Sequence, residues 1–223
     1  MKKYAIIVAG GQGQRMGSAI PKQFIELHQK PILYHTINAF WTTYPDINII
    51  VVLPESHISW MNMVLQAFGN DRPDLTIVAG GATRYHSVKN GFDQIKDSEA
   101  IVFVHDGVRP LVSSKIIEDS YHTALEFGAA IPAIDMVDSM RELVNGNHFA
   151  VDRNHYKAVQ TPQTFQYKVL QKAYEIPYDE TFTDEASVVE ASGIEVYLFP
   201  GERKNIKVTT PEDLLIASAF MNS

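Results

Sequence analysis

The sequence predicts an α/β fold, on three observations. Short apolar runs alternate with stretches of helical periodicity, most of those runs are continuous, and a glycine-rich turn follows the first of them. Continuous apolar runs suit strands covered on both faces. Strand–helix alternation suits a mainly parallel sheet with right-handed crossovers. A glycine turn after the first strand lies at the carboxyl edge of such a sheet, where ligands bind.

The elements follow in order. Tyr4–Ala9 is the first predicted strand, and Ile47–Leu53, Leu75–Ala79, Ala100–His105, Ala129–Ala133 and Ile194–Phe199 are the others. Leu33, Ile37, Phe40 and Trp41 recur at three- to four-residue spacing and predict a helix over Ile32–Trp41. Ile58–Phe68, Ser87–Ile95 and Ser114–Phe127 are predicted helices, as are Tyr167–Tyr174, Asp184–Ser192 and Pro211–Phe220. Between Ile134 and Tyr156 the rhythm changes. Ser139–Val144 and Phe149–Asp152 flank Asn145-Gly146-Asn147, and Asn-Gly is a hairpin signal. The expectation is a Rossmann-like, mainly parallel (mixed) sheet flanked by helices, one domain over residues 1–223, with a projecting β-arm at about residues 134–157. An isolated hairpin is marginal in water, so the arm is expected to pack on a second subunit.

Composition narrows the function. The 223 residues carry 19 Lys and Arg against 26 Asp and Glu, a formal net charge of −7. That balance argues against general nucleic-acid binding, which needs a basic face. There are no cysteines, which excludes disulfides and thiolate metal sites, and the eight histidines show no HExxH spacing. No apolar stretch reaches membrane-spanning length. Met1-Lys2-Lys3 and the short run after it read as the start of a buried strand rather than a signal peptide. A cytoplasmic protein is expected.

The turn Ala9-Gly10-Gly11-Gln12-Gly13-Gln14-Arg15-Met16-Gly17 can cradle phosphate oxygens with consecutive backbone N–H groups. It is not a dinucleotide fingerprint, because Met16 stands where the third glycine belongs. It is not a P-loop either, since Gly-Lys-Ser/Thr is absent. Arg15 and, beyond the turn, Pro21-Lys22-Gln23 add two cations, one a planar fork and one a point charge. Together they have the look of a triphosphate clamp. For His105-Asp106, a capping aspartate is the bland alternative, and for Arg109-Pro110 a surface turn. Thr183-Asp184-Glu185 reads equally well as a plain helix N-terminus or as part of a site. Lys207, in the apolar Ile206-Lys207-Val208, calls for an anionic partner such as a bound phosphate.

The loop and Pro-Lys-Gln resemble the opening of the sugar-nucleotidyltransferase superfamily. Gly80–Val88 (GGATRYHSV), Val104–Pro110 (VHDGVRP), Val151–Asn154 (VDRN), Thr161-Pro162-Gln163, Thr183–Ser187 (TDEAS) and Asn205–Thr209 (NIKVT) narrow it. With them the chain resembles the 2-C-methyl-D-erythritol 4-phosphate cytidylyltransferase family along nearly its whole length. The resemblance implies a single nucleotidyltransferase domain, transfer of CMP from CTP to a polyol phosphate, magnesium and a homodimer. It implies charge stabilisation by Arg15, Lys22 and Lys207, and triphosphate binding by Gly11, Gln12 and Gly13. It implies a cytosine site of Ala9, Gly10, Gly81, Ala82 and Ser87. Asp106 and Arg109 would position the alcohol, near Ser139 and Thr161, and Arg153 would reach a partner subunit's substrate. Magnesium would sit mainly on CTP phosphates, with Asp106 its candidate protein ligand. Three positions depart from the family pattern: Gly10 where alanine is common, Gln14 where some members are basic, and Ser139 where threonine is common. A ribitol 5-phosphate cytidylyltransferase is the alternative enzyme reading, and a non-catalytic nucleotide-binding dimer the alternative of another class.

Overall fold

The computed structural model describes residues 1–11 and 20–222. In chain order its strands and helices are β1 (Lys3–Val8), β2 (Glu26–Leu27), β3 (Lys30–Pro31), α1 (Ile32–Thr43), β4 (Asn48–Leu53), α2 (Met61–Phe68), β5 (Leu75–Ala79), α3 (Arg84–Phe92), β6 (Ile101–Asp106) and α4 (Ser114–Phe127). Then come β7 (Ala129–Asp135), β8 (Met140–Val144), β9 (Asn147–Val151), β10 (Lys157–Val159), β11 (Gln163–Gln166), α5 (Tyr167–Ala173), α6 (Glu185–Ala191), β12 (Tyr197–Pro200) and α7 (Pro211–Met221).

The main sheet runs β7-β11-β6-β1-β4-β5. β1, β4, β5 and β6 are parallel. β11 inserts antiparallel between β6 and β7. Ala130 pairs with both Thr164 and Tyr197, and Ala133 with both Val159 and Pro200. A strand has two edges, so β10 and β11 share one edge of β7 and β12 takes the other. The sheet is mixed and mainly parallel, as expected.

The continuous apolar runs have their cause in two-sided burial. Along β1, Ala5 and Ile7 enter the core layer containing Leu33, Ile37 and Phe40 of α1. Ile6, between them, enters the opposite layer with Val88 and Phe92 of α3. β4 divides in the same way, Ile49, Val51 and Leu53 to one side and Ile50 and Val52 to the other. A third cluster joins Leu27, Ile32 and Val108 to Val208 and to Ala217 of α7. It ties the C-terminal segment against the first half of the chain.

The predicted element boundaries move by a few residues. The second helix is preceded by a 3-10 turn at Glu55–Trp60. α3 begins at Arg84, because Thr83 caps it by accepting from the His86 N–H. The short strands β2, β3, β10 and β11 were not anticipated. β8 and β9 pair from Met140↔Val151 to Val144↔Asn147. Asn145 and Gly146 carry φ of 49° and 81° at the turn, as a two-residue hairpin demands. This hairpin is a sheet of its own.

Candidate active site

β1 and β6 lie side by side, while β4 and β5 extend the sheet from the far side of β1. The order therefore reverses between β1 and β6, the place where an open α/β sheet opens a crevice at its carboxyl ends. A cavity of about 330 Å³ sits there. Ala9, Gly10 and Gly11 form one wall, Gly81, Ala82 and Ser87 another, and Lys22, Asp106 and Lys207 reach its floor. A second cavity, about 230 Å³, is lined by Arg109, Gln160, Thr161 and Asp184. Arg84, Asp106 and Lys207 belong to both and form the wall between them.

Two glycines show how tightly the first cavity is built. A Cβ on Gly81 would stand 2.4 Å from His86 Cβ and 3.1 Å from its carbonyl carbon, so α3 and the Gly80-Gly81 turn can meet only at glycine. A Cβ on Gly11 would stand 2.9 Å from Lys22 Cε, which sets the lysine stem directly against the loop backbone. Among the described residues nothing crowds Gly10, so the alanine common in the family would fit against them. Ser87 Oγ accepts from the Gly81 N–H (3.1 Å) and donates to Thr83 O (2.9 Å), locking the turn to the helix. Gln23 is buried and donates to Ala9 O at 2.8 Å, fixing the end of β1.

Asp106 ends β6 and is the electrostatic centre. Its Oδ2 lies 3.1 Å from Lys207 Nζ and 3.3 Å from Arg109 Nε, and its Oδ1 lies 3.7 Å from Arg84 Nε. Burial alone would push its carboxyl up. Arg84, Lys207 and Arg109 overcome that and hold it well below the usual carboxylate range. Neighbours fix the carboxylate's carrier turn. Thr161 Oγ1 accepts from the Asp106 N–H at 3.1 Å, which leaves its hydroxyl proton for His105 Nδ1 at 3.0 Å. The other imidazole nitrogen, Nε2, then donates to Arg109 O at 3.2 Å. Burial pushes the His105 imidazole down to about 4, so it is neutral at pH 7.

Lys207 is delivered by its neighbours. Val208 is buried and its N–H bonds Val108 O. Buried Asn205 donates to Thr161 O at 2.8 Å, while its own carbonyl accepts from Arg109 Nη1 at 2.8 Å. The lysine's partner is thus the Asp106 carboxylate, with 43% of the side chain still open to solvent. Arg109 is no surface turn, since its side chain is only 12% exposed. His105-Asp106 does more than cap.

The structure therefore brings together Ala9, Gly10, Gly11, Lys22, Gly81, Ala82, Ser87, Asp106, Arg109, Thr161 and Lys207. Gln12, Gly13 and Arg15 lie outside the described residues, as does Gln14. Exposed Ser139 and Arg153 line neither cavity, and Arg153 Nη1 donates instead to Val137 O. Three residues were missed from the sequence. Arg84 pairs with buried Glu185, and Gln163 docks the start of α6 onto β11, donating to Asp184 Oδ2 at 2.6 Å and accepting from the Ala186 N–H at 3.0 Å. All three sit inside the motifs quoted above, so the signal was present without its geometry. Asp184 itself is the helix cap in a capping box.

Among the described residues no three His, Asp or Glu side chains cluster as metal ligands. Both Asp106 oxygens face cations, so the group does not fit as a direct magnesium ligand in this arrangement. No helix among these residues is long and apolar enough to cross a membrane.

Comparison with known proteins marks out a nucleotidyltransferase. The family model for IspD, 2-C-methyl-D-erythritol 4-phosphate cytidylyltransferase, matches residues 4–223. The chain belongs to that family and is a cytidylyltransferase. It is 47% identical over 222 residues to the 2-C-methyl-D-erythritol 4-phosphate cytidylyltransferase of Phocaeicola vulgatus, covering 99% of this chain and 100% of the relative. The enzyme of the same name from Bacteroides fragilis is 46% identical over 221 residues, with the same coverage of each. Among solved structures, 4-diphosphocytidyl-2C-methyl-D-erythritol synthase of Anaerococcus prevotii superposes with a TM-score of 0.84 at 26% identity, covering 100% of this chain and 96% of that one. The Francisella tularensis cytidylyltransferase gives 0.81 at 30% identity, covering 98% and 99%. The family's reaction joins CMP from CTP to 2-C-methyl-D-erythritol 4-phosphate in isoprenoid synthesis.

Proposed function

We propose that the two joined cavities divide the two substrates of that reaction. CTP takes the glycine-walled cavity and the alcohol phosphate the second, so that the α-phosphorus lies at the Arg84–Asp106–Lys207 wall. The observation that carries this reading is the Asp106 carboxylate, bracketed by three cations on a wall common to both cavities.

The alcohol's phosphate is already ionised at pH 7, so no general base is needed. One of its oxygens attacks the α-phosphorus in line. The bond from that phosphorus to the bridging oxygen breaks, and pyrophosphate leaves with the electron pair. What the chain supplies is position and positive charge. Lys22 lies against the loop that would hold the triphosphate. Lys207 faces the α-phosphoryl position, and Arg15 is proposed as the third cation. Asp106 keeps Lys207 and Arg109 in register and accepts from an alcohol hydroxyl. Backbone N–H groups of Gly11, Gln12 and Gly13 would take phosphate oxygens, and Ala9, Gly10, Gly81, Ala82 and Ser87 the cytosine. Magnesium, when bound, would ride on the CTP phosphates and offset their charge.

We also propose a homodimer joined through the β8–β9 hairpin, with Arg153 serving the partner's alcohol site and Ser139 near the alcohol. Leu143 and Phe149 on that hairpin are exposed in the single chain. Both substrates are charged and soluble, so the reaction is assigned to the cytoplasm.

The test is pyrophosphate release with CTP and magnesium. Methylerythritol 4-phosphate should support turnover at least tenfold better than ribitol 5-phosphate. The reverse preference would move the chain to the ribitol reaction, and release with neither would leave only a nucleotide-binding dimer.

A further inference from the structure

Glu185 is fully buried at the start of α6, in a position no part of the reaction described above uses. Its environment is built rather than incidental. Gln163 of β11 pins the first turn of α6 from both sides of its amide, and Asp184 closes a capping box there. The carboxylate so fixed meets Arg84, whose Nη1 stands 2.8 Å from Oε1 and 2.7 Å from Oε2, with hydrogen-bond geometry at Oε1. Arg84 comes from α3, which shares one core layer with α6, and its Nε faces Asp106 Oδ1 at 3.7 Å. One guanidinium thus spans two buried carboxylates, and it lines both cavities.

We infer that Glu185 is a positioning residue for nucleotidyl transfer: by holding one end of the Arg84 fork, it keeps the guanidinium braced across the junction and leaves the Asp106 carboxylate to Lys207 and Arg109. This rests on the reading of the Asp106–Lys207 junction as the reacting centre. Arg84 is the farthest of the three cations from Asp106, at 3.7 Å against 3.1 and 3.3 Å. A guanidinium free of Glu185 would close on Asp106 and form a two-pronged pair, the geometry it favours. That movement would draw the carboxylate off Lys207 and change where its ammonium sits. Stability alone is a weak reason for such a pair, because a buried ion pair can often be replaced by apolar side chains with little loss.

The experiment uses the full-length chain and steady-state pyrophosphate release with CTP, methylerythritol 4-phosphate and magnesium. Glu185→Gln keeps the shape and removes the anion. Its kcat is expected to fall by roughly 10- to 100-fold, the scale of a small misplacement at a reacting centre, while KM for CTP stays near that of the parent. The second variant, Arg84→Met with Glu185→Met, replaces the pair by apolar side chains. It is expected to melt near the parent temperature and still turn over slowly. Parental kcat in Glu185→Gln, or restored turnover in the double variant, overturns the inference, since a pair serving only the fold would behave in that way. Lys207→Ala, run in the same assay, separates the two levels of argument. A loss there with none in Glu185→Gln defeats this inference alone. Parental turnover in Lys207→Ala defeats the reading of the junction, and this inference with it.

Discussion

The junction and the hairpin are opposite kinds of structure in one chain. At the junction, five motifs scattered from Arg84 to Lys207 converge, and each charged group finds its complement inside the chain. On the β8–β9 hairpin, Leu143 is 79% and Phe149 55% exposed, and the two strands pair only with each other. The first region is preorganised by internal partners before any ligand arrives. The second leaves two large apolar side chains more than half exposed among the described residues. A site of fixed cations gains from stiffness, because donors already in place need no reorganisation during reaction. A hairpin of this size gains stability only by packing on something else.

Three experiments bear on that contrast. Lys207→Ala removes the cation nearest Asp106 from a half-exposed side chain, and turnover should fall by about 10²–10³ with melting little changed. Stopped assays with a parallel melting curve check both halves of that statement.

Acid should come next. His105 has a folded-state value near 4 against an ordinary 6.5. The unfolded chain therefore takes up the proton first as pH falls. The stabilisation is complete above about pH 6.5 and drains away between there and about pH 4, at ~1.4 kcal/mol per unit, or ~3 kcal/mol in all. Asp106 titrates below this window. Glu185 is pushed up by burial against the pull of Arg84 and works in the opposite sense. Urea unfolding of parent and His105→Gln at several pH values isolates the imidazole: the slope between pH 6.5 and 4 should flatten in the variant, and an unchanged slope would remove His105 as its source.

The smallest effect is expected on the hairpin. Leu143→Asp with Phe149→Asp should shift the stability of the isolated chain by no more than about 0.5 kcal/mol, as for exposed positions generally. Sedimentation velocity should nevertheless report a monomer. A dimer that survives both substitutions would put the subunit contact elsewhere.

The same contrast governs what could be read in advance. β1, β4 and β6 announced themselves because two-sided burial forces unbroken apolar runs, and the hairpin because Asn145-Gly146 specifies its turn. β11 did not. Its residues Gln163 and Thr164 are polar yet buried, and they belong in a strand only because β6 and β7 leave a gap between them. Propensity loses there to tertiary pairing. In the site, Asp106, Arg109 and Lys207 were legible as charges in motifs. Arg84 and Glu185 were not, because a pair separated by 101 positions becomes visible only when α3 and α6 are set side by side.

The late position of β11 also shapes how the chain must assemble. β6 and β7 do not pair with each other; they are joined through β11. Until residue 163 has left the ribosome, the outer edge of β6 has no partner, and β7 has no bond to the first half of the sheet. Non-local strand closure of this kind is slow, and open edges invite wrong pairings. A chain halted between Asp135 and Gln163 thus lacks the strand that pairs with both β6 and β7, and the main sheet can be completed only in the last third of the sequence.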